Sequence, residues 1–193
     1  VGCGNFEELG TADGLRTDSP TGDVDAHLVF SWCASSKVRI KHADITSAYL
    51  QGKQNDRVIL YRIPKGGIPG EGVEEGTIIA ARVPANGTKD AGRGWWLRLK
   101  EVALDNGYSL NKILPTMFSF RDKDKIVGVL CTNVDDLLYG NLPGNEQAME
   151  KILNTFSVRE RNEAPFGFCG KEVVQDGDFN ITVTAKDNCE KIR

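Results

Sequence analysis

The sequence lacks any apolar run close to the roughly 20 residues that a membrane-spanning helix needs. It also lacks the pattern of a signal peptide, because it opens with Val-Gly-Cys-Gly-Asn. No methionine stands at the start, so we expect a piece of a longer polyprotein. Hydrophobic residues make up 40% and charged residues 26%, as in globular domains. The 193 residues suffice for one domain with a real core or for two small lobes, and no membrane partner is expected.

Cysteine pairs of the metal-binding type are missing as well. The five cysteines are widely scattered, and none forms a Cys-x-x-Cys pair. The two histidines, His27 and His42, are expected to lie far from suitable ligand partners. A zinc site is therefore not expected. The odd number of cysteines fits a reducing compartment better than a disulfide framework.

The chain has no excess of positive charge, which nucleic-acid-binding domains usually have. Its net charge is -3. One stretch departs from this balance, because residues 82–100 hold five basic residues and one acidic residue, Asp90. The basic residues are Arg82, Lys89, Arg93, Arg98 and Lys100. Such a stretch is more often a solvated surface than a phosphate site, and it gains meaning only in combination with other features.

The order of local patterns predicts a mixed α+β fold. Helical spacing of apolar residues predicts three helices, over Asp23–Ser36, Trp95–Asn106 and Asn145–Phe156. In the first helix the apolar positions are Val24, Leu28, Trp32 and Cys33. Runs rich in β-forming residues predict strands over Val38–Asp44, Val58–Ile63, Thr77–Val83, Ile126–Thr132, Leu137–Tyr139, Lys171–Val174 and Asn180–Thr184. Residues 1–22 are expected to be irregular, and Lys65–Gly76 is expected to be a flexible turn rather than a phosphate loop.

Two adjacent acids, Asp135 and Asp136, stand between the apolar runs Ile126–Thr132 and Leu137–Tyr139, so we expect them at the tip of a β-hairpin. Aspartate is common in turns, and an ordinary polar turn is an equally good interpretation of the pair alone. Adjacent carboxylates repel each other, however, and a bound cation offsets that repulsion. Magnesium prefers such oxygen ligands.

Asp44 ends a predicted strand, where a lone aspartate is usually a cap or turn residue. It gains meaning if it meets the hairpin. In two-metal phosphoryl transfer, carboxylates from different strands hold two ions about 3.5–4 Å apart. Asp44, Asp135 and Asp136 are therefore the candidate catalytic and metal-binding residues.

Four motifs, in order along the chain, carry a resemblance to a known family. They are His42-Ala-Asp-Ile-Thr-Ser-Ala-Tyr-Leu-Gln-Gly52, Asn86-Gly-Thr-Lys-Asp-Ala-Gly-Arg-Gly-Trp-Trp96, Asn133-Val-Asp-Asp-Leu-Leu138 and Phe166-Gly-Phe-Cys-Gly170. The opening segments Cys3-Gly-Asn-Phe6 and Arg16-Thr-Asp-Ser-Pro20 are similar to the family's lead-in. The sequence thus resembles the reverse transcriptases of Ty1/copia-type retrotransposons over nearly its whole length.

The resemblance implies a palm-like antiparallel sheet backed by helices, with partial fingers. The palm would comprise residues 38–52 and 86–175, and the fingers and lead-in residues 1–37 and 53–85. Residues 176–193 would lead towards a thumb, and the thumb and RNase H regions would be absent.

The resemblance also implies the activity, an RNA-directed DNA polymerase. Two Mg²⁺ ions, with Mn²⁺ as a substitute, would be held by Asp44, Asp135, Asp136 and the carbonyl of Ile45. A primer 3′-hydroxyl would attack the incoming dNTP. Residues implied in substrate binding are Ala48, Tyr49, Asn86, Gly87, Lys89 and Asn133, and those implied in nucleic-acid binding are Lys89 and Arg93.

Implied partners are an RNA or DNA template-primer and the rest of a Pol polyprotein, including integrase and RNase H. The implied location is intracellular, in a cytoplasmic virus-like particle or the nucleus.

Three positions depart from the family pattern. Asn86 replaces a tyrosine, Asn133 replaces an aromatic residue or histidine, and Gly92 replaces a proline. Two alternatives therefore stay open. One is a catalytically eroded palm-fold relic that binds nucleic acid without polymerising. The other is an unrelated Mg²⁺-dependent phosphohydrolase, which does not account for the segment Gly87–Trp96.

Overall fold

The computed structural model describes residues 19–20, 23–54 and 57–185. These residues form a mixed α+β fold with antiparallel sheets and three α-helices, as the sequence predicted. They fall into two compact units. The first includes residues 48–99, and the second includes residues 20–47 and 100–185. The two units are defined by which residues pack together, and not by function. The division into palm and fingers therefore stays a prediction. The lead-in segment Cys3–Phe6 and most of the segment Arg16–Pro20 lie outside the described residues.

The second unit is built on a six-stranded sheet in which every neighbouring pair is antiparallel. Its strands are β1 (Lys41–Ile45), β4 (Tyr108–Leu110), β5 (Met117–Asp122), β6 (Lys125–Asn133), β7 (Asp136–Asn141) and β8 (Val158–Glu163). The spatial order is β4-β5-β6-β7-β1-β8. Strand β1 therefore lies between two strands that come much later in the chain. This order places the end of β1 beside the β6–β7 hairpin.

A second antiparallel sheet in the same unit has the order β11-β10-β9. Its strands are β9 (Phe166–Phe168), β10 (Lys171–Gln175) and β11 (Ile181–Thr184). Phe166, Phe168 and Val173 are buried in the core of the unit. The small sheet thus contributes its apolar residues to the same core as the large one.

The first unit contains β2 (Ile59–Arg62) and β3 (Ile78–Ala81), which pair in an antiparallel hairpin. The connection between them holds the predicted turn, residues 65–76. A 3-10 helix, Ala48–Gln51, begins four residues after Asp44, the aspartate of the first motif.

The three α-helices are α1 (Asp23–Ser35), α2 (Ala91–Asp105) and α3 (Gln147–Thr155). In α3 the predicted residues Met149, Ile152 and Leu153 are buried, as is Phe156 just after it. In α2 the predicted residues Trp95, Leu99, Val102 and Ala103 are buried too. Gly107 follows α2 with φ +86°, a left-handed conformation that glycine adopts without strain, so the predicted helix end is confirmed.

The predicted apolar face of α1 is wrong at Leu28, which is 44% exposed. The helix instead buries Ala26, Val29, Phe30 and Cys33 against the central strands. This face packs on β7 at Gly140, where an added Cβ would lie 2.5 Å from the Cys33 sulfur. The helix approaches the sheet closely at this point, which requires glycine at position 140.

Candidate active site

The tip of the β6–β7 hairpin is a turn of two residues, Val134 and Asp135. Asn133 and Asp136 close the turn as a register pair. Val134 has φ +57°, which is uncommon for a β-branched residue, and its carbonyl accepts a hydrogen bond from the Thr132 hydroxyl at 3.1 Å. Because the flanking strands are buried, the turn holds both aspartates at one defined end of the sheet. The predicted hairpin with two acids at its tip is thus present.

The neighbouring strand β1 brings Asp44 to the same place. Asp44 and Asp136 are direct register partners across the β1–β7 pair. The backbone amide of Ile45 donates a hydrogen bond to the carbonyl of Asp135 at 2.9 Å. Directly opposite residues in an antiparallel pair share a face of the sheet and lie about 4.5–5.5 Å apart between Cα atoms. Asp44 and Asp135 are 91 residues apart in sequence. The three predicted acids are nevertheless neighbours in the fold.

Each carboxylate has a distinct environment. The Arg159 guanidinium on β8 donates to the Asp44 carboxylate at 2.5 Å, and the His42 imidazole Nε2 lies 2.8 Å from the Asp136 carboxylate. Asp135 is an exposed residue, yet partial desolvation raises the pKa of its carboxyl above its usual range, and the negative charges of Asp136 and Asp44 add to this rise. The site therefore concentrates negative charge that a cation would stabilise.

His42 is a contact that the sequence analysis missed. The sequence treated His42 only as a candidate zinc ligand, whereas in the structure it is 5% exposed and hydrogen-bonded to Asp136. Its ring stacks on Phe166 and meets the edge of Phe168. The signal was present in the sequence, because residues two apart in a strand share a face, so His42 had to accompany Asp44.

The donor atoms at the three acids suit magnesium, which prefers oxygen ligands and few protein carboxylates. Within the described ranges, however, no group of three or more His, Cys, Asp or Glu side chains is arranged to hold a metal ion. In the structure Arg159 engages Asp44 and His42 engages Asp136. The magnesium site stays a prediction that the donor chemistry supports.

The remaining predicted site residues, apart from Asn133, lie in the first unit. Ala48 is buried and Tyr49 is half-buried in the 3-10 helix. Asn86 and Gly87 are exposed, and Gly87 has φ +92°, so a glycine is required there by the backbone. Lys89 and Arg93 are half-buried on either side of the start of α2. Their roles in substrate and nucleic-acid binding stay predictions.

An ion pair in the first unit also escaped the sequence analysis. Arg57 donates from Nε and Nη2 to the two carboxylate oxygens of Asp90, at 3.0 and 3.1 Å. Burial alone would raise the pKa of Asp90, but the hydrogen bonds and charge of Arg57 leave it below its usual range. The single acid of the basic stretch is therefore neutralised locally.

Asn133 turns its side chain towards the small sheet. Its amide nitrogen lies 2.9 Å from the sulfur of Cys169. An open depression of about 670 Å³ is lined mainly by the small sheet, including Phe166, Phe168 and Lys171, and reaches Asp136 on β7. The candidate site thus opens onto a space large enough for a ligand group.

No helix among the described residues is long and apolar enough to cross a membrane. A comparison with models of protein families finds no match, and a comparison with curated proteins finds none either.

Proposed function

We propose that this chain is the catalytic core of an RNA-directed DNA polymerase of the Ty1/copia retrotransposon type. The observation that carries the proposal is the register of β1 and β7, which sets Asp44 opposite Asp136 and ties Ile45 to Asp135. An ordinary polar turn would need no third acid on an adjacent strand. The antiparallel sheet with helices agrees with a palm-like fold, which is part of the proposal.

In this proposal Asp44, Asp135, Asp136 and the main-chain carbonyl of Ile45 hold two Mg²⁺ ions, with Mn²⁺ as a substitute. Bound ions of this kind supply activation of a hydroxyl nucleophile and neutralisation of phosphate charge. The O3′–Pα bond forms between primer and dNTP as the bond to pyrophosphate breaks. The protein contributes mainly position and electrostatics, as in other phosphoryl transfers.

Recognition of the template-primer would depend on shape and backbone charge rather than on sequence. Arg82, Lys89, Arg93 and Arg98 of the first unit are all at least partly exposed, and Asp90 between them is already paired with Arg57. This arrangement supports Lys89 and Arg93 as contacts to nucleic acid. The further partners, integrase and RNase H of a Pol polyprotein, and the location in a virus-like particle or the nucleus belong to the same proposal.

One observation favours a second candidate. Asn133 stands where the family has a ring, and its amide is directed to Cys169 rather than offering a stacking surface. Loss of a stacked base contact costs about 1–3 kcal/mol. A palm-fold relic that binds nucleic acid without polymerising is therefore the alternative.

The test is primer extension on an RNA template with Mg²⁺ or Mn²⁺, comparing the chain with Asp135→Asn. We expect the substitution to lower extension at least about 100-fold, since it removes a charge worth several kcal/mol to the reaction. Asp124→Asn is a matched control, because Asp124 is also the second residue of a two-residue hairpin turn, between β5 and β6.

Extension that is equal in the original chain and Asp135→Asn contradicts the enzymatic proposal. Binding of the template-primer without any extension supports the relic instead.

A further inference from the structure

The contact between His42 and Asp136 has features that a core histidine does not need. His42 sits on β1 two residues before Asp44, and both side chains share the sheet face on which Asp136 lies. The hydrogen bond joins His42 Nε2 to Asp136 Oδ1 at 2.8 Å. Because a carboxylate only accepts, the imidazole Nε2–H is the donor. The bond thus crosses diagonally between the two strands that carry the candidate acids.

The imidazole is held from two sides. Its ring stacks on Phe166 with centroids 5.2 Å apart and planes 24° apart, and it meets Phe168 edge-on at 6.3 Å and 78°. Both phenylalanines are buried in the core of the unit. A ring packed in this way has one orientation, so the Nε2–H direction is fixed before any ligand arrives.

The other ring nitrogen argues against a purely structural role. His42 Nδ1 is buried and has no hydrogen-bond partner. An unpaired buried polar atom is unfavourable, and an apolar side chain of similar size would avoid it. A histidine at this position is explained if its role is to donate the hydrogen bond from Nε2 to Asp136.

We propose that His42 is a positioning residue for Asp136. The Nε2–H fixes the plane of the carboxylate through Oδ1, which directs Oδ2 as the oxygen for a divalent cation. Hydrogen bonds to ligating carboxylates are a general feature of metal sites, and their removal costs roughly 10–100-fold in metal affinity. The inference rests on the proposed function, because it assumes that the three acids bind a cation.

The experiment measures Mn²⁺ affinity without turnover. The midpoint of thermal unfolding is recorded against Mn²⁺ concentration for the original chain, Asp136→Asn, His42→Met and His42→Gln. Each variant is compared with its own metal-free midpoint, so a change in intrinsic stability cancels. We expect His42→Met to weaken Mn²⁺ binding about 10- to 100-fold and His42→Gln, which keeps an N–H donor, to stay within about threefold.

Val173→Ala is the control for stability, because Val173 is fully buried in the same core and is no part of the candidate site. We expect it to lower the metal-free midpoint and leave the Mn²⁺ affinity unchanged. If His42→Met binds Mn²⁺ as well as the original chain while Asp136→Asn does not, the positioning role is wrong and the proposed function stands. Equal weakening in His42→Met and His42→Gln overturns the hydrogen-bond explanation. If Mn²⁺ shifts the original chain no more than Asp136→Asn, the proposed function itself fails.

Discussion

Replacing Val134 by glycine should stabilise the protein while impairing the proposed reaction. Val134 is the first residue of the two-residue turn that carries Asp135, and its φ is +57°. A branched side chain on Cβ disfavours this left-handed conformation, whereas glycine adopts it freely. The surrounding strands force the conformation, so the strain is stored where the two acids are presented.

The expected gain follows from two opposing terms. The left-handed conformation costs a non-glycine residue about 1–2 kcal/mol. Glycine adds about 0.5–1 kcal/mol of conformational entropy to the unfolded chain. The net gain in the free energy of unfolding is therefore about 0–1.5 kcal/mol, or a rise in Tm of up to about 6 °C for a domain of this size.

Urea unfolding and thermal melts measure the gain, and primer extension measures the effect on the site. A looser turn should lower extension by up to about 100-fold, the loss that accompanies a 1 Å misplacement of reacting groups. Lys123→Gly is the control, because Lys123 is the first residue of the β5–β6 turn with φ +52° and carries no branched Cβ. By the same two terms its gain should be about 0–1.5 kcal/mol and no larger than that of Val134→Gly, because lysine lacks the branched Cβ; extension should be unaffected. Destabilisation of Val134→Gly by more than Lys123→Gly would refute the reasoning.

Three further predictions concern the core of the second unit. Gln175→Leu should lower the free energy of unfolding by about 3 kcal/mol. The reason is that Gln175 accepts a hydrogen bond from the Ile40 amide at 3.0 Å, and its loss leaves buried backbone groups without a partner. A loss under about 1 kcal/mol in a urea titration would contradict this. Gly140→Ala should lower the free energy of unfolding by about 1–3 kcal/mol, because the new methyl group would clash with Cys33. Adding Cys33→Ala should recover part of that stability. Equal stability of the single and double variants would argue against a direct clash. Burial raises the pKa of Asp25 above its unfolded value, so its contribution to stability is present at low pH and is lost as pH rises through the folded pKa. The free energy of unfolding of the original chain relative to Asp25→Asn should therefore fall as the pH rises above about 4, the ordinary pKa of an aspartate, and a constant difference in urea titrations would show that the shift is absent.

Sequence patterns located the elements with long or strongly apolar runs. The periodicity of α3 and the apolar runs of β6 and β7 are local signals, and these elements formed as predicted. Strands β4, β5, β8 and β9 were not predicted. β8 has the sequence Val-Arg-Glu-Arg-Asn-Glu. It is an edge strand that faces solvent along most of its length, which is compatible with its charged residues. An edge strand of this kind has no apolar alternation for a sequence argument to detect.

The candidate site divides in the same way. The acids were identifiable as Asp44, Asp135 and Asp136 because each stands at the end of an apolar strand pattern. Local sequence could place His42 on the same face as Asp44, but it could not identify the contact of His42 with Asp136 or that of Arg159 with Asp44. Arg159 reaches Asp44 from 115 residues away, and His42 reaches Asp136 from 94 residues away. Only the pairing of β1 with both β7 and β8 creates these contacts.

By itself the sequence determined the α+β class, the hairpin with its two acids, and the buried faces of α2 and α3, because these depend on residues a few positions apart. The tertiary structure decided that β1 inserts between β7 and β8 in the register that sets Asp44 against Asp136. It also placed the buried His42 beside Asp136 and the exposed Arg159 beside Asp44. The physical reason is that strand pairing is non-local. A shift of one residue would turn every side chain of β1 to the other face, and the register is fixed by the packed core as a whole.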